Sequence, residues 1–175
     1  SMGWQVSYQI EGHVYARYVQ HTKPDTKIAV LYQNDDAGKD FYKGFSDGMG
    51  DKLHQIVIAT SYETTDPTVD SQVVQMRATG ADTLFVASLP KFTGLTLRKV
   101  RDVGWDPLFI VASVGSSVAS ALVPVGLDRS VGLISGGWMK DPSGPQWQGT
   151  RSYKDGGAFM PEYQGRGGLT GVENV

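Results

Sequence analysis

Between Lys27 and Ser135, a short apolar run of strand type gives way four times to a stretch with helical periodicity, and a fifth strand-like run closes the series. Few folds satisfy such a pattern. Parallel strands need long crossover connections, and helices supply them while covering both faces of the sheet. The expectation is a three-layer α/β fold with a mainly parallel five-stranded sheet, preceded by one helix.

The first unit sets the pattern. Lys27 to Phe45, KIAVLYQNDDAGKDFYKGF, opens with β-branched and aromatic residues at Ile28 to Tyr32 and turns through Gln33-Asn34-Asp35-Asp36. It continues with Phe41, Phe45 and Met49 at helical spacing. Its helix is expected over about Gly38 to Leu53. Gly44, Gly48 and Gly50 each cost about 1 kcal/mol there relative to alanine, which points to close packing.

Ahead of this unit, Trp4 to Gln20 carries Ile10, Val14, Tyr15, Tyr18 and Val19 in a helical pattern, with a polar start at Ser7, Gln9 and Glu11 and Pro24 beyond its end. After it, Ile56 to Tyr62 reads as a strand apolar enough for burial on both faces, and Asp70 is placed to cap a helix over Ser71 to Thr79. Gly80 stops that helix. A strand at Thr83 to Ala87, a helix at Lys91 to Val103 stopped by Gly104, and a strand at Leu108 to Ala112 follow. Ser113 to Ser117 form a polar corner before a short apolar helix around Val118 to Val123 and a strand at Val131 to Ser135. From Gly136 onward glycine and proline are frequent and apolar residues too sparse for a core, so that tail reads as peripheral.

Composition narrows the function. The 175 residues suit one α/β domain. With 16 Lys plus Arg against 18 Asp plus Glu and no basic cluster, nucleic-acid binding has no electrostatic footprint. The absence of cysteine excludes disulfides, thiolate catalysis and Cys-ligated zinc. No apolar run of membrane-spanning length and no signal peptide is present, so an exported protein would have its leader elsewhere.

In open parallel sheets ligands sit beyond the carboxyl ends of the strands, which directs attention to the corner from Asn34 to Gly38 and to the later strand ends. Asp35-Asp36 is the sharpest charge feature. A Mg2+-binding receiver site would need an aspartate at the end of the third strand, where Ala87-Ser88-Leu89-Pro90 stands, so an ordinary solvated turn or helix N-terminus is expected. One glycine, Gly38, does not make a dinucleotide fingerprint, and no Walker sequence occurs. His13, His21 and His54 show no metal-ligand spacing and are expected at the surface. Ser88, Ser113, Ser116 and Ser117 lie at strand ends but none lies in G-x-S-x-G; they serve either a small ligand or helix capping. Tyr62 and Trp105 fall in packing positions, whereas Trp138, after Gly136-Gly137, is placed to line a cleft or a hinge.

The ordered succession KIAVLYQNDDAGKDFYKGFSDGM, SYETTDPTVDSQVVQMRATGADTLFVAS and LRKVRDVGWDPLFIVAS resembles the periplasmic solute-binding proteins of ABC importers, in the branched-chain amino acid receptor family, over about Gly3 to Tyr163. The resemblance implies a type I, Rossmann-like lobe, its sheet of order 2-1-3-4-5, the second of two that close on a ligand. Residues 3–140 would form the lobe, with hinge residues Trp138 and Lys140, and residues 141–175 a crossover and partial return to a first lobe outside this chain.

Ligand contacts carried over from the family fall at Asp36 and Ala37, at Ser88, Leu89 and Pro90, and at Ser113 and Val114. Ala37 replaces the family's aromatic, Ser88-Leu89-Pro90 its tyrosine, and Ser113 the acidic residue that meets a ligand ammonium. The expected ligand is a small carboxylate or amino acid-like solute, and with these departures an aromatic or aliphatic carboxylate fits as well as an α-amino acid or better. The resemblance further implies a periplasmic or lipid-anchored location, a membrane permease as partner, no cofactor and no catalysis. A sensory ligand-binding domain of the same fold is the alternative. A lone lobe is also expected to self-associate through its exposed cleft face or to bind ligand weakly.

Overall fold

Ser7 sets where the chain becomes helical: extended itself, it accepts a hydrogen bond from the Ile10 amide at 3.3 Å, and α1 (Tyr8–Thr22) follows. The computed structural model describes residues 6–137. The chain divides into two units, Ser1–Gly136 and Gly137–Val175, and all described residues except Gly137 belong to the first. Trp138 and Lys140, the expected hinge residues, and the stretch 141–175 lie outside the described residues.

Five all-parallel strands form the sheet, in the order β2-β1-β3-β4-β5: β1 (Ile28–Gln33), β2 (Ile56–Tyr62), β3 (Thr83–Ala87), β4 (Leu108–Val111) and β5 (Ile134–Ser135). The crossovers are α2 (Asp36–Met49), α3 (Asp70–Ala78) and α4 (Pro90–Asp102), and a short π-type turn over Val118–Leu122 stands in for a helix before β5. Successive residues of a strand point to opposite faces, so the apolar central strands feed two cores. Ile28 and Val30 pack with α1 and α2 through Tyr15, Val19, Phe41 and Phe45. Ala29 and Leu31 pack with α3 and α4 through Val73, Met76, Leu97 and Val100.

The glycines of α2 have the steric reason their number implied. α1 lies so close to α2 that a Cβ on Gly44 would stand 2.0 Å from the Gln9 carbonyl oxygen, and one on Gly12 would stand 2.4 Å from that of Phe41. The helix ends earlier than expected, at Met49. Gly50 takes φ +53° and the chain continues as a 3-10 turn to Gln55.

Three local expectations are corrected, and α1 adds a burial pattern that periodicity did not specify. β2 is an edge strand with only Tyr62 fully buried, because no strand among the described residues pairs with its outer side; its apolar residues suit one face, not two. Asp70 does not cap α3 but begins it, after Val69, and its carboxylate pairs with Lys99 at 3.1 Å. β5 is reduced to two residues, with Val131 74% exposed outside it. On α1 the buried residues are Gly12, Tyr15, Ala16 and Val19, whereas Ile10, Val14 and Tyr18 face solvent, because the contact with α2 admits only small residues at its centre.

At the amino edge of the sheet Asp82 ties α1 to the strands. It accepts from the Thr26 hydroxyl at 2.5 Å and the Lys27 amide at 3.0 Å, and pairs with Lys23 at 2.9 Å. Partial burial pushes its pKa up, but the bonds from Thr26, Lys23 and the Lys27 amide outweigh this and hold it below the ordinary carboxylate value. A depressed folded-state pKa gives stability that is present above the unfolded value of about 4 and lost as pH falls through the folded one. Asp82→Asn is therefore expected to lower urea stability at neutral pH and to flatten the acid limb of the stability profile. Gly44→Ala, which drives a methyl into the Gln9 backbone, is expected to destabilise by about 1–3 kcal/mol in the same measurement, despite alanine's better helix propensity.

Candidate functional site

The direction of chain travel across the sheet reverses between β1 and β3. From β1 the chain passes outward through α2 to β2 on one flank, and from β3 through α4 to β4 on the other. Corners leaving neighbouring strands in opposite directions open a crevice at their carboxyl ends. Strand register places the corners side by side there: Tyr32 pairs with Ala87, Val86 with Val111, and Val111 with Ser135. Asn34, Ser88, Ser113 and Gly136 thus emerge along one edge.

The β1 corner is held by its own polar side chains. Asp35 caps α2, accepting from the Gly38 amide at 2.8 Å, and also receives the Gln33 side-chain amide. The buried Tyr62 hydroxyl donates to Gln33 Oε1 at 3.0 Å, and burial pushes its phenol above the ordinary range. Asn34 donates to Glu63 across the mouth of β2. Asp36 is exposed and Ala37 half-exposed, and together with the exposed Asn34 they form the accessible surface of the corner.

At the β3 corner Ser88 is 2% exposed, with its hydroxyl 2.8 Å from that of Thr93 on α4. Its side chain ties the helix to the strand end, while Leu89, 47% exposed, and the half-buried Pro90 present the surface. At the β4 corner Ser113 and Val114 are half-buried. Ser116 donates to the Ser113 carbonyl at 2.9 Å, and Ser117 caps the following turn through the Ser120 amide at 3.3 Å.

One residue of this corner was not singled out from the sequence as a site residue. Glu11, from the first turns of α1, accepts from the Ser113 amide at 2.8 Å and the Ser113 hydroxyl at 2.9 Å. Its Oε1 also accepts from the Tyr15 hydroxyl at 2.8 Å, and that hydroxyl accepts from the Gly136 amide at 2.8 Å. Burial, with Glu11 beside it, holds the Tyr15 phenol above its ordinary range. Glu11 thus brings a carboxylate to the β4 corner from a helix 102 residues earlier. Its place in the capping region of α1 gave no signal of this. No ion pair involves it among the described residues.

The three histidines are exposed, and no group of three or more His, Cys, Asp or Glu among the described residues could hold a metal ion. No described helix is long and apolar enough to cross a membrane.

Sheet order and corners define an open α/β lobe with a crevice at its switch point. The profile of the Periplasmic binding protein family matches residues 1–168, and the chain belongs to that family. Comparison with curated protein sequences gives no match.

Similar solved structures include an extracellular ligand-binding receptor from Rhodopseudomonas palustris HaA2, with 21% identity and a TM-score of 0.70 over 90% of this chain and 43% of that one. A branched chain amino acid ABC transporter protein from Thermus thermophilus with bound valine has 14% identity and a TM-score of 0.66, over 75% of this chain and 34% of that one. A branched-chain amino acid transporter substrate-binding protein from Streptococcus pneumoniae in complex with isoleucine has 18% identity and a TM-score of 0.63, over 73% and 36%. The chain spans less than half the length of each, and its fold is that of one type I lobe.

Tyr15→Phe removes the hydroxyl between Glu11 and Gly136, and Glu11→Gln replaces the acceptor of both Ser113 donors. Each variant is expected to lose about 1.5–3 kcal/mol, since each gives up hydrogen bonding to the Glu11 carboxylate and bonds to a charged group are the stronger kind. Amide exchange should quicken at Gly136 in the first and at Ser113 in the second.

Proposed function

We propose that this chain is one wall of an extracytoplasmic receptor that closes on a small solute and hands it to the membrane permease of an ABC importer. The observation that carries the reading is the alignment of the β1, β3 and β4 corners at the switch point, in a chain of the periplasmic binding protein family. The surface offered to the solute comprises Asp36 and Ala37, Leu89 and Pro90, and Ser113 with Val114; the buried Ser88 side chain supports it from behind. A first lobe from outside this chain supplies the opposite wall. The family consists of binding proteins, and no catalytic step is assigned to these corners.

Glu11 bears on the substrate class. Its carboxylate stands on Ser113, where no acidic residue occurs in the local sequence. Three neutral donors occupy it and leave capacity for a fourth, since a carboxylate has about four acceptor sites. That charge favours a solute bearing an amino group as well as a carboxylate over one bearing a carboxylate alone.

Thermal shift of the complete two-lobed receptor, screened against amino acids and the corresponding carboxylates without the amine, tests both points. A binding solute at a hundred times its Kd should add about 2.7 kcal/mol of stability. Amino acids are expected to give the larger shift. Ala37→Trp should abolish it while leaving the unliganded melting temperature within about a degree or two. Absence of a shift with every solute would sink the receptor reading; larger shifts from the simple carboxylates would reverse the role given to Glu11.

A further inference from the structure

The β3 and β4 corners meet with no room for a side chain between them. The Ala112 amide donates to the Val86 carbonyl at 2.9 Å where the two strands end, and the β4 chain then turns tightly through Ser113–Gly115. Gly115 is buried. A Cβ on it would stand 2.3 Å from the Ser88 carbonyl oxygen and 2.5 Å from Thr93 Oγ1, where ordinary contact begins at 3.4 Å. Its φ is not positive, so the turn itself does not call for glycine. Close approach to the β3 corner does.

The two sides of this contact differ in how firmly they are backed. Ser88 and Thr93 are 2% and 0% exposed, their hydroxyls lie 2.8 Å apart, and the Thr93 amide donates to the Leu89 carbonyl at 3.0 Å in the first turn of α4. Phe92, next to Thr93, packs its ring on that of Tyr62 with centroids 4.1 Å apart. Close-packed groups of this kind have nowhere to recede. The β4 corner is more open, with Ser113, Val114 and Ser116 half-buried. Glu11 on α1 holds it from one face of the sheet through the Ser113 amide and hydroxyl, and Thr93 on α4 meets it from the other.

We propose that Gly115 is a positioning residue of the solute surface: by admitting the Ser88 carbonyl where a Cβ would stand, it sets the distance from Leu89 and Pro90 to Ser113 and Val114, and with it the size of solute these corners accept. The inference rests on the receptor reading above and adds to it the residue that fixes the width of the crevice. A methyl at 115 regains ordinary contact only if the β4 corner moves away from β3 by about 1 Å, since Ser88 and Thr93 cannot yield. Ser113 and Val114 travel with that corner. A gap of that width forfeits roughly a quarter to a half of the attraction of each contact across it. A solute fitted to the parent crevice therefore loses contacts, and a bulkier one regains them.

Isothermal titration of the complete two-lobed receptor with alanine, valine, leucine and phenylalanine, and with the matching carboxylates that lack the amine, tests this in the parent, in Gly115→Ala and in Gly104→Ala. Gly104 follows α4 at the amino edge with φ +64°, so alanine there strains the backbone without touching the corners. Gly115→Ala is expected to raise the affinity ratio of larger to smaller solutes about tenfold, the scale of one methylene in a fitted pocket. Gly104→Ala should lower the urea midpoint and leave that ratio within about twofold of the parent's. Thr93→Val, which sets a methyl where Oγ1 faces Gly115, should move the ratio in the same direction by less, and it decides the question if Gly115→Ala does not fold. An unchanged ratio, an equal loss for every solute or an equal shift in Gly104→Ala overturns the role of Gly115 and leaves the receptor reading standing. A parent receptor that binds none of the series overturns the receptor reading itself.

Discussion

A parallel strand cannot be joined to its neighbour by a tight turn, and much of this lobe follows from that restriction. Each crossover must travel back along the sheet, and here three of the four do so as helices, α2, α3 and α4. Those helices bury both faces of the central strands, so β1, β3 and β4 are apolar almost throughout. The reversal between β1 and β3 then leaves the crevice where the corners diverge. The proposed solute surface lies at that edge because the crossover helices among the described residues run back from it.

The α1–α2 contact is a second constraint of the same kind. Its glycines bring the helix backbones within the distance of a missing Cβ, which fixes how α1 can turn about its axis. That orientation carries Glu11 and Tyr15 to the β4 corner and leaves Ile10, Val14 and Tyr18 outward. A packing choice made at Gly12 and Gly44 thereby decides both what charge stands at the crevice edge and which face the lobe shows to other molecules.

The number of layers and the bounds of β1 and β3 were legible because they rest on periodicity, which is local. The β1 corner was legible too, with Asp35 as the start of a helix. Legibility failed where a residue's environment depends on a distant segment. β2 has the composition of a central strand but lies at the edge, a fact set by the order of the sheet. The apolar residues of α1 were read as one helical pattern, yet the helix buries its small residues and exposes several large ones. Ser88 and Ser113 share a strand-end position, but Thr93 takes the hydroxyl of one and Glu11 that of the other.

Alone, the sequence determined that this chain alternates strands and helices into a parallel α/β lobe, since short apolar runs, helical spacing and glycine stops act within a few residues of themselves. Only the tertiary structure decided which polar groups meet at the crevice and which apolar side chains stay uncovered. Those outcomes depend on pairs such as Glu11 with Ser113 and Gly12 with Phe41, whose members lie far apart in the chain and come together only once the helices pack on the sheet.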